Sequence, residues 1–488
     1  MRTVEEPMIV RVQRMCDACR NKLPQGRGAK LAAGAAVSLA LSGVIAVWNV
    51  SAGPLHNLND IGGWDNRLLF ILMTAAVQVL LHLLLTVLYR GGYARLILRH
   101  AALLAGFVIA LLAINQKTYA FTEQLLPLIR QMDAQGLAAI GGMKTNLSSS
   151  ALTLIYAITR GPVYDMYLVK LACIAAYAVL CMMALRAADR LRLGIRAEVL
   201  FAFSLTLPQG FMSAACAAQT DVMAIALLAV SLMLILGEKP QVWAGMICYG
   251  LAAAVSGVCL YALPVYLAMW LRGRVKPAQL FAALAVLLAA QVPAIAAGQD
   301  ALDALTSPLR VVLGTPDYAA GAPNLMNLFP RAAMEEMPAY FMISQLPAVD
   351  PVTNFSPYYT QEHFDILMGG LALLGVAVYA LVFMLVLRRP IGRMERAFAL
   401  LLGALLVCPG ATAGAWLLAS LAALMVIFTA PAYRVSACLV LFAAAGAAAY
   451  PVTGEVLLPM IIAMLLCLAA LFDLLGMFDA NRKEGWKA

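Results

Sequence analysis

About fourteen apolar stretches separated by short arginine-rich caps run through this chain, and that alternation fixes its solvent before any motif is read. Inside a bilayer every backbone amide must find a partner within its own segment or in a closed barrel. Runs of roughly 15 to 23 residues rich in Leu, Ala, Val and Met meet that demand only as helices. The expected spans are 31–50, 67–89, 98–115, 165–186, 197–216, 221–237, 241–255, 257–271, 279–297, 365–387, 397–409, 412–429, 434–450 and 455–477. The predicted fold is an all-α polytopic membrane protein, a bundle of about 13 to 14 transmembrane helices with extracytoplasmic loops. With 63% hydrophobic and 12% charged residues, the composition lies far outside that of a soluble globular domain.

A net charge of +9 would suggest nucleic acid in a soluble protein, but here the basic residues sort by side, so no nucleic-acid partner is expected. Arg2, Arg11, Arg14, Arg20, Lys22, Arg27 and Lys30 precede the first span and place the amino end in the cytoplasm. The caps at Arg90/Arg95/Arg99, Arg186/Arg190, Arg272/Arg274, Arg388/Arg389/Arg396, Arg434 and Arg482/Lys483 then face the same way. Both termini are expected to be cytoplasmic, in an integral protein of a bacterial plasma membrane. The leader carries too many charges, and the first apolar run is too long, for a cleaved signal peptide. This sidedness forces two short hairpins, 241–271 turning near Ser256 and Gly257, and 397–430 turning near Pro409 and Gly410. Such spans fall short of about 30 Å of hydrocarbon and are expected inside the bundle.

The resulting organisation is a basic leader (1–30), an extra amino-terminal hairpin (31–97) and a core (98–297) whose first outer loop is 116–164. A long outer loop (298–364), carboxy-terminal helices (365–477) and a tail (478–488) complete it. The long loop holds too many prolines for one helix, and its Tyr318, Phe329, Tyr340, Phe341, Phe355, Tyr358 and Tyr359 suit either an interfacial belt or a sugar-stacking surface. The outer loops hold no cysteine, which argues against an oxidised scaffold. Cys16 and Cys19 form half a zinc site without a second pair, and His56, His82, His100 and His363 are scattered, so no metal site is predicted. Asp60 and Asp65 flank a Gly62-Gly63 turn and read as loop solvation.

Ionisable residues at membrane depth are costly and usually face a cavity or a partner. Asp221, in Gln219-Thr220-Asp221, stands where a short outer turn enters a helix. It suits either a ligand site or simple capping, since the helix dipole favours a carboxylate in a first turn. A short helix follows, then Trp243-Ala244-Gly245 and a hairpin ending at Pro264. This order resembles the GT-C class of integral-membrane glycosyltransferases, which use polyprenyl-phosphate sugars. Lys117-Thr118-Tyr119 with Met132 to Leu137, and Tyr164-Asp165-Met166-Tyr167-Leu168-Val169-Lys170-Leu171, are similar to that family's first catalytic loop and the helix after it. Gly321-Ala322-Pro323-Asn324-Leu325 is similar to an Asn-rich loop of the bacterial relatives of the GPI and dolichyl-phosphate mannosyltransferases. The resemblance covers roughly residues 98 to 430.

The resemblance implies an inverting transfer of a mannose-like hexose from a polyprenyl-phosphate donor to a glycan, lipid or protein acceptor on the outer leaflet, sometimes with a divalent cation. It implies Asp133 or Glu123 as base and Asp221 as organiser of the acceptor or a metal. Asp133 also reads as the solvated face of the amphipathic stretch 123–135. Lys117, Lys170, Arg310 and Arg331 are the candidates for lipid-phosphate contact, with Gln219, Tyr119 and Asn324 completing the substrate set. Several family positions are degenerate: Leu147-Ser148-Ser149-Ser150 replaces a tyrosine-proline turn, Ser256 a hairpin lysine, and Ala413-Gly414-Ala415-Trp416 a His-Glu-Arg-Tyr. Three readings stay open: an active transferase, a degenerate relative that binds a lipid-linked glycan or a partner, and a transporter or flippase. The hairpins lack the acidic or basic residue that an ion-coupled path needs.

Overall fold

A computed structural model describes residues 27–56, 58, 64–89, 93–143, 145, 147–160, 165–237, 239–313, 323–324, 361–389, 391–407, 413–448 and 457–477. The leader with Cys16 and Cys19, Asp60, the turn at Pro409 and Gly410, the aromatics of 314–360 and the tail lie outside the described residues. Among the described residues there are helices and no strands, and every expected apolar span falls on helix. The chain is an all-α polytopic membrane protein.

Five helical stretches are long and apolar enough to cross a bilayer alone: Leu31–Ser51, Trp64–Leu88, Arg95–Ala113, Tyr167–Arg190 and Pro277–Ala296. A sixth is the pair Ile195–Leu205 and Pro208–Cys216, bent by 45°. The bend follows from sequence, because Pro208 lacks the amide to continue the first helix and opens a new one. The other apolar helices are shorter. Asp221–Ile235 has 15 residues and Trp416–Thr429 has 14. At a rise of about 1.5 Å per residue these reach roughly 22 Å, so they need neighbours to cover their ends. Trp416–Thr429 has them, being buried over most of its length.

The chain divides into two compact units, Met1–Leu111 and Leu112–Ala488. In the first, α1 (Arg27–Ser51) and α2 (Trp64–Leu88) form a hairpin, followed by α3 (Tyr93–Ala113). Gly34 sets how closely α1 and α2 approach, since a Cβ there would run into the Thr86 side chain. At the connection Asn49 Oδ1 accepts from the Leu55 amide (3.3 Å), and Arg67 donates to the His56 carbonyl (3.0 Å).

In the second unit the first outer loop is itself helical. It runs through a π turn (Ala120–Leu125), α4 (Leu126–Gln135), a 3-10 turn (Gly136–Gly142) and α5 (Ser149–Thr159). Then come α6 (Asp165–Arg190), α7 (Ile195–Leu205), α8 (Pro208–Phe211) with a π turn (Met212–Cys216), α9 (Asp221–Ile235) and α10 (Val242–Val255). A 3-10 turn (Gly257–Ala262) leads to α11 (Leu263–Leu271), α12 (Pro277–Ala289), α13 (Val292–Ala296) and α14 (Ala301–Leu313). After the long loop follow α15 (Gln361–Arg388), α16 (Arg393–Val407), α17 (Trp416–Thr429), α18 (Arg434–Ala447) and α19 (Leu457–Leu474).

Hydrogen bonds sort the helix ends of this unit into two groups. At one end Arg190 donates to the Met233 carbonyl (3.0 Å), Arg272 lies close enough to Arg396 to repel its charge, Arg389 donates to the Leu474 carbonyl, and Ser436 bonds Asp473. At the other end lie the polar turns at 114–121, 148–150, 216–221 and 254–256 and the segments 405–407 and 413–414, tied to one another by the contacts described next. Helix α16 runs from one group to the other, with Arg396 in the first and Leu405 in the second. Arg190, Arg272, Arg389 and Arg396 thus lie at the helix ends away from the polar turns.

Candidate functional site

Asp221 sits in the first turn of α9, partly buried, where the helix dipole favours its negative charge. Ser256 donates to its Oδ1 at 2.6 Å. The same serine oxygen accepts from the Val258 amide (3.2 Å), so the hairpin tip is capped and aimed at the carboxylate by one hydroxyl. From the far side the backbone passes over Asp221 at Gly414, where any Cβ would collide with Oδ2. Three segments more than thirty residues apart thus meet at one carboxylate.

The turn leading into Asp221 is strained. Ala218, buried, holds φ at 53°, a left-handed conformation that costs an L-residue about 1–2 kcal/mol. That twist lets the Gln219 amide reach the Ser213 carbonyl (2.9 Å) across the π turn, while the Gln219 carbonyl accepts from the Cys173 thiol (3.5 Å). The twist leaves polar atoms behind. Ser213 Oγ, Gln219 Oε1 and Thr220 Oγ1 are buried without a protein partner, and so is Trp416 Nε1, two residues beyond Gly414. A buried polar atom left unpaired costs about 1–3 kcal/mol, so these four, in the segments that lead into Asp221 or follow Gly414, are a local cost that the fold carries.

Two π turns flank this region, Ala120–Leu125 and Met212–Cys216. Thr118, just before the first, donates to the Cys216 carbonyl closing the second (3.4 Å). π turns are rare and recur at functional sites. The contact brings the segment of Lys117 and Tyr119, both exposed, against the turn that carries Gln219.

Lys170 takes a different part from the one expected. It is fully buried, donating to the carbonyls of Ile114 (2.8 Å) and Gln116 (2.5 Å), with its ammonium 5.1 Å from the Phe121 ring centre. Two carbonyls and a ring face account for an ammonium's three donors, so Lys170 holds the first loop onto α6. Cys173 lies within electrostatic reach of both Lys170 and Asp221. Asn324 is also buried and donates to the Leu405 carbonyl (2.6 Å), anchoring the long loop to the end of α16.

The remaining candidates separate. Glu123 and Asp133 are exposed, one on the π turn and one near the end of α4. Arg310 lies on α14 with its side chain outside the described residues, and Arg331 is outside them altogether. Asp221, Gln219, Lys170, Lys117 and Tyr119 are therefore gathered, while Glu123 and Asp133 have no described tie to Asp221. Among the described residues no group of three or more His, Cys, Asp or Glu could hold a metal ion.

Sequence reasoning passed over the serine triplet. Ser148 caps α5 by accepting from the Ala151 amide (3.1 Å) and donates to the Ala254 and Val255 carbonyls at the end of α10 (2.7 Å each). Ser149 bonds Ser307 of α14 (3.2 Å), and Ser150 bonds the Ala290 carbonyl (2.9 Å), its amide meeting Gln291 Oε1 (3.1 Å). The signal lay in the triplet's place at an N-cap, which fixes one hydroxyl and leaves two for neighbours.

No family model, curated protein or solved structure matches this chain. The class that fold and site define is an all-α integral membrane protein with a polar site built around one carboxylate at a helix entrance.

Proposed function

We propose that the protein is a membrane glycosyltransferase moving a hexose from a polyprenyl-phosphate sugar to an outer-leaflet acceptor, with Asp221 at the centre of the acceptor site. The observation that carries this reading is the meeting of Asp221, Ser256 and Gly414. The GT-C resemblance puts its polar residues at these same three positions. Beside them the unpartnered Ser213, Gln219 and Thr220 suit a polyhydroxylated ligand, whose hydroxyls both donate and accept.

In such a transfer a carboxylate takes the proton of the acceptor hydroxyl as that oxygen bonds the anomeric carbon. The bond from carbon to phosphate oxygen breaks, and its electron pair leaves with the polyprenyl phosphate. Asp221 is assigned the proton, because Ser256 fixes the plane of its carboxylate through Oδ1. Glu123 and Asp133 are the alternatives. Asp221→Asn should lower transfer from a polyprenyl-phosphate mannose by at least about 100-fold without shifting the thermal melt. Full activity in that variant sinks the assignment, and loss only in Glu123→Gln or Asp133→Asn moves the base to the first loop.

A second reading, donor binding without turnover, is favoured by one observation. Lys170, a candidate for the lipid phosphate, is committed to backbone carbonyls, and two positions where the resemblance expects cationic residues hold Ser256 and Gly414. Saturable binding of the labelled donor with no sugar transferred to any acceptor would select it.

A further inference from the structure

The deepest polar cluster away from Asp221 lies in the amino-terminal unit. Thr74, Gln78, His82 and Thr86 follow one another at four-residue steps on α2, all buried, and so form one stripe. Gly34 of α1 packs on Thr86, and the two helices run antiparallel, which sets Ser38 opposite His82 and Ser42 opposite Gln78. His100 of α3 closes the cluster, its Nδ1 lying 2.6 Å from His82 Nδ1 with the rings stacked.

Most hydroxyls in this stripe are satisfied by their own helix. Ser38 donates to the Gly34 carbonyl (2.6 Å), Thr74 to Phe70 (2.8 Å) and Thr86 to His82 (2.9 Å). Four neighbouring atoms are not: Ser42 Oγ, Gln78 Oε1 and Nε2, and His82 Nε2 have no partner, on side chains at most 2% exposed. Left dry inside a membrane they would have nothing to pair with, since hydrocarbon supplies neither donor nor acceptor.

The hydrogen bonds also assign the ring protons. Thr86 gives its only proton to the His82 carbonyl, so at the 3.2 Å contact with His100 Nε2 the ring must donate. Neutral His100 then presents a lone pair at Nδ1, and His82 must carry its proton on Nδ1. What remains is a lone pair on His82 Nε2, buried one turn from an amide with nothing to bind.

We propose that α1, α2 and α3 enclose an intramembrane proton-binding site: water held by Ser42 and Gln78 delivers a proton to His82 Nε2. A proton from the bulk reaches this water as hydronium; the new N–H bond forms on the Nε2 lone pair as that O–H bond breaks, and a neutral water remains. No existing hydrogen bond breaks, because protonated His82 still donates from Nδ1 to His100, which shares the charge.

Within the three helices themselves few side chains carry charge. No side chain of 31–51 titrates, 68–88 holds only His82, and 96–111 holds only Arg99 and His100. Arg99 is buried with its guanidinium 4.6 Å over the Tyr89 ring. Arg27 and Lys30 lie at the start of α1, Tyr93 and Arg95 at the start of α3, and Asp65 and Arg67 at the opposite end of α2.

The chain has only four histidines, so nitrogen-15 NMR of the full-length, histidine-labelled protein in phosphatidylcholine and phosphatidylglycerol nanodiscs resolves the pair. His82 is expected in the Nδ1–H form and His100 in the Nε2–H form, with one proton taken up in a single step and water magnetisation reaching His82 Nε2. Gln78→Leu and Ser42→Ala should each lower the midpoint of that uptake by about one pH unit, a tenfold loss of proton affinity. The inverse tautomers, two independent uptake steps, or no transfer from water would overturn the proposal, and so would midpoints unmoved in both variants. The water-transfer measurement needs no substitution and decides the matter if Gln78→Leu fails to fold.

Discussion

Two polar turns stand at the same end of the larger unit, at 148–150 and at 219–221, and both are built from small hydroxyl and amide residues. In the first, each serine reaches a different partner, in α10, α14 and the junction of α12 with α13. In the second, the backbone is bent through a left-handed alanine, and three side-chain atoms in and just before the turn end up buried with no partner in the protein. Composition does not separate these turns. Saturation does: the first turn is a clamp, and the second holds binding capacity that the fold leaves unused.

That contrast breaks most directly at Asp221. Its change to Asn should cost at least about 100-fold in transfer, or an equivalent loss of donor-dependent binding, while the melt stays put. A matching loss in Ser149→Ala would mean that the two turns do not differ in kind. Gly414→Ala comes next, because a methyl group there meets the Asp221 carboxylate. It should destabilise by about 1–3 kcal/mol and lower activity together, read by thermal melting and by assay. Ser149→Ala should lower stability by about 1 kcal/mol through its lost bond to Ser307, with activity per folded molecule unchanged. Ala218→Gly relieves the left-handed strain at some cost in chain entropy and should stabilise by about 0.5–1 kcal/mol. A destabilising result there would show that the turn is not strained.

Much of the architecture could be read from residues alone, since a long Leu- and Ala-rich run has one outcome in hydrocarbon. The short hairpin turning at Ser256 was legible for the same reason: the basic residues at Lys239 and Arg272 can share a side only if 241–271 crosses twice. Asp221 stands out in the sequence because charge at membrane depth is rare, while its tie to Ser256 and its close approach to Gly414 appear only in the fold. Sequence alone fails at Lys170, where a pattern of residues cannot tell a phosphate from two carbonyls brought in by tertiary folding. The His82–His100 pair was hidden in the same way, its members lying eighteen residues apart on different helices.

The two π turns carry a consequence of their own. Each closes its loop one residue later than an α-turn, so each is equivalent to a single amino acid spliced into an otherwise regular coil. Excising one residue from 120–125 or from 212–216 would let the ladder re-form as ordinary helix with the phase of the residues beyond it little changed, because the wide turn takes up the extra residue. Such a deletion mutant should still insert and fold, losing only the backbone groups that the wide turn displaces from the α-helical ladder.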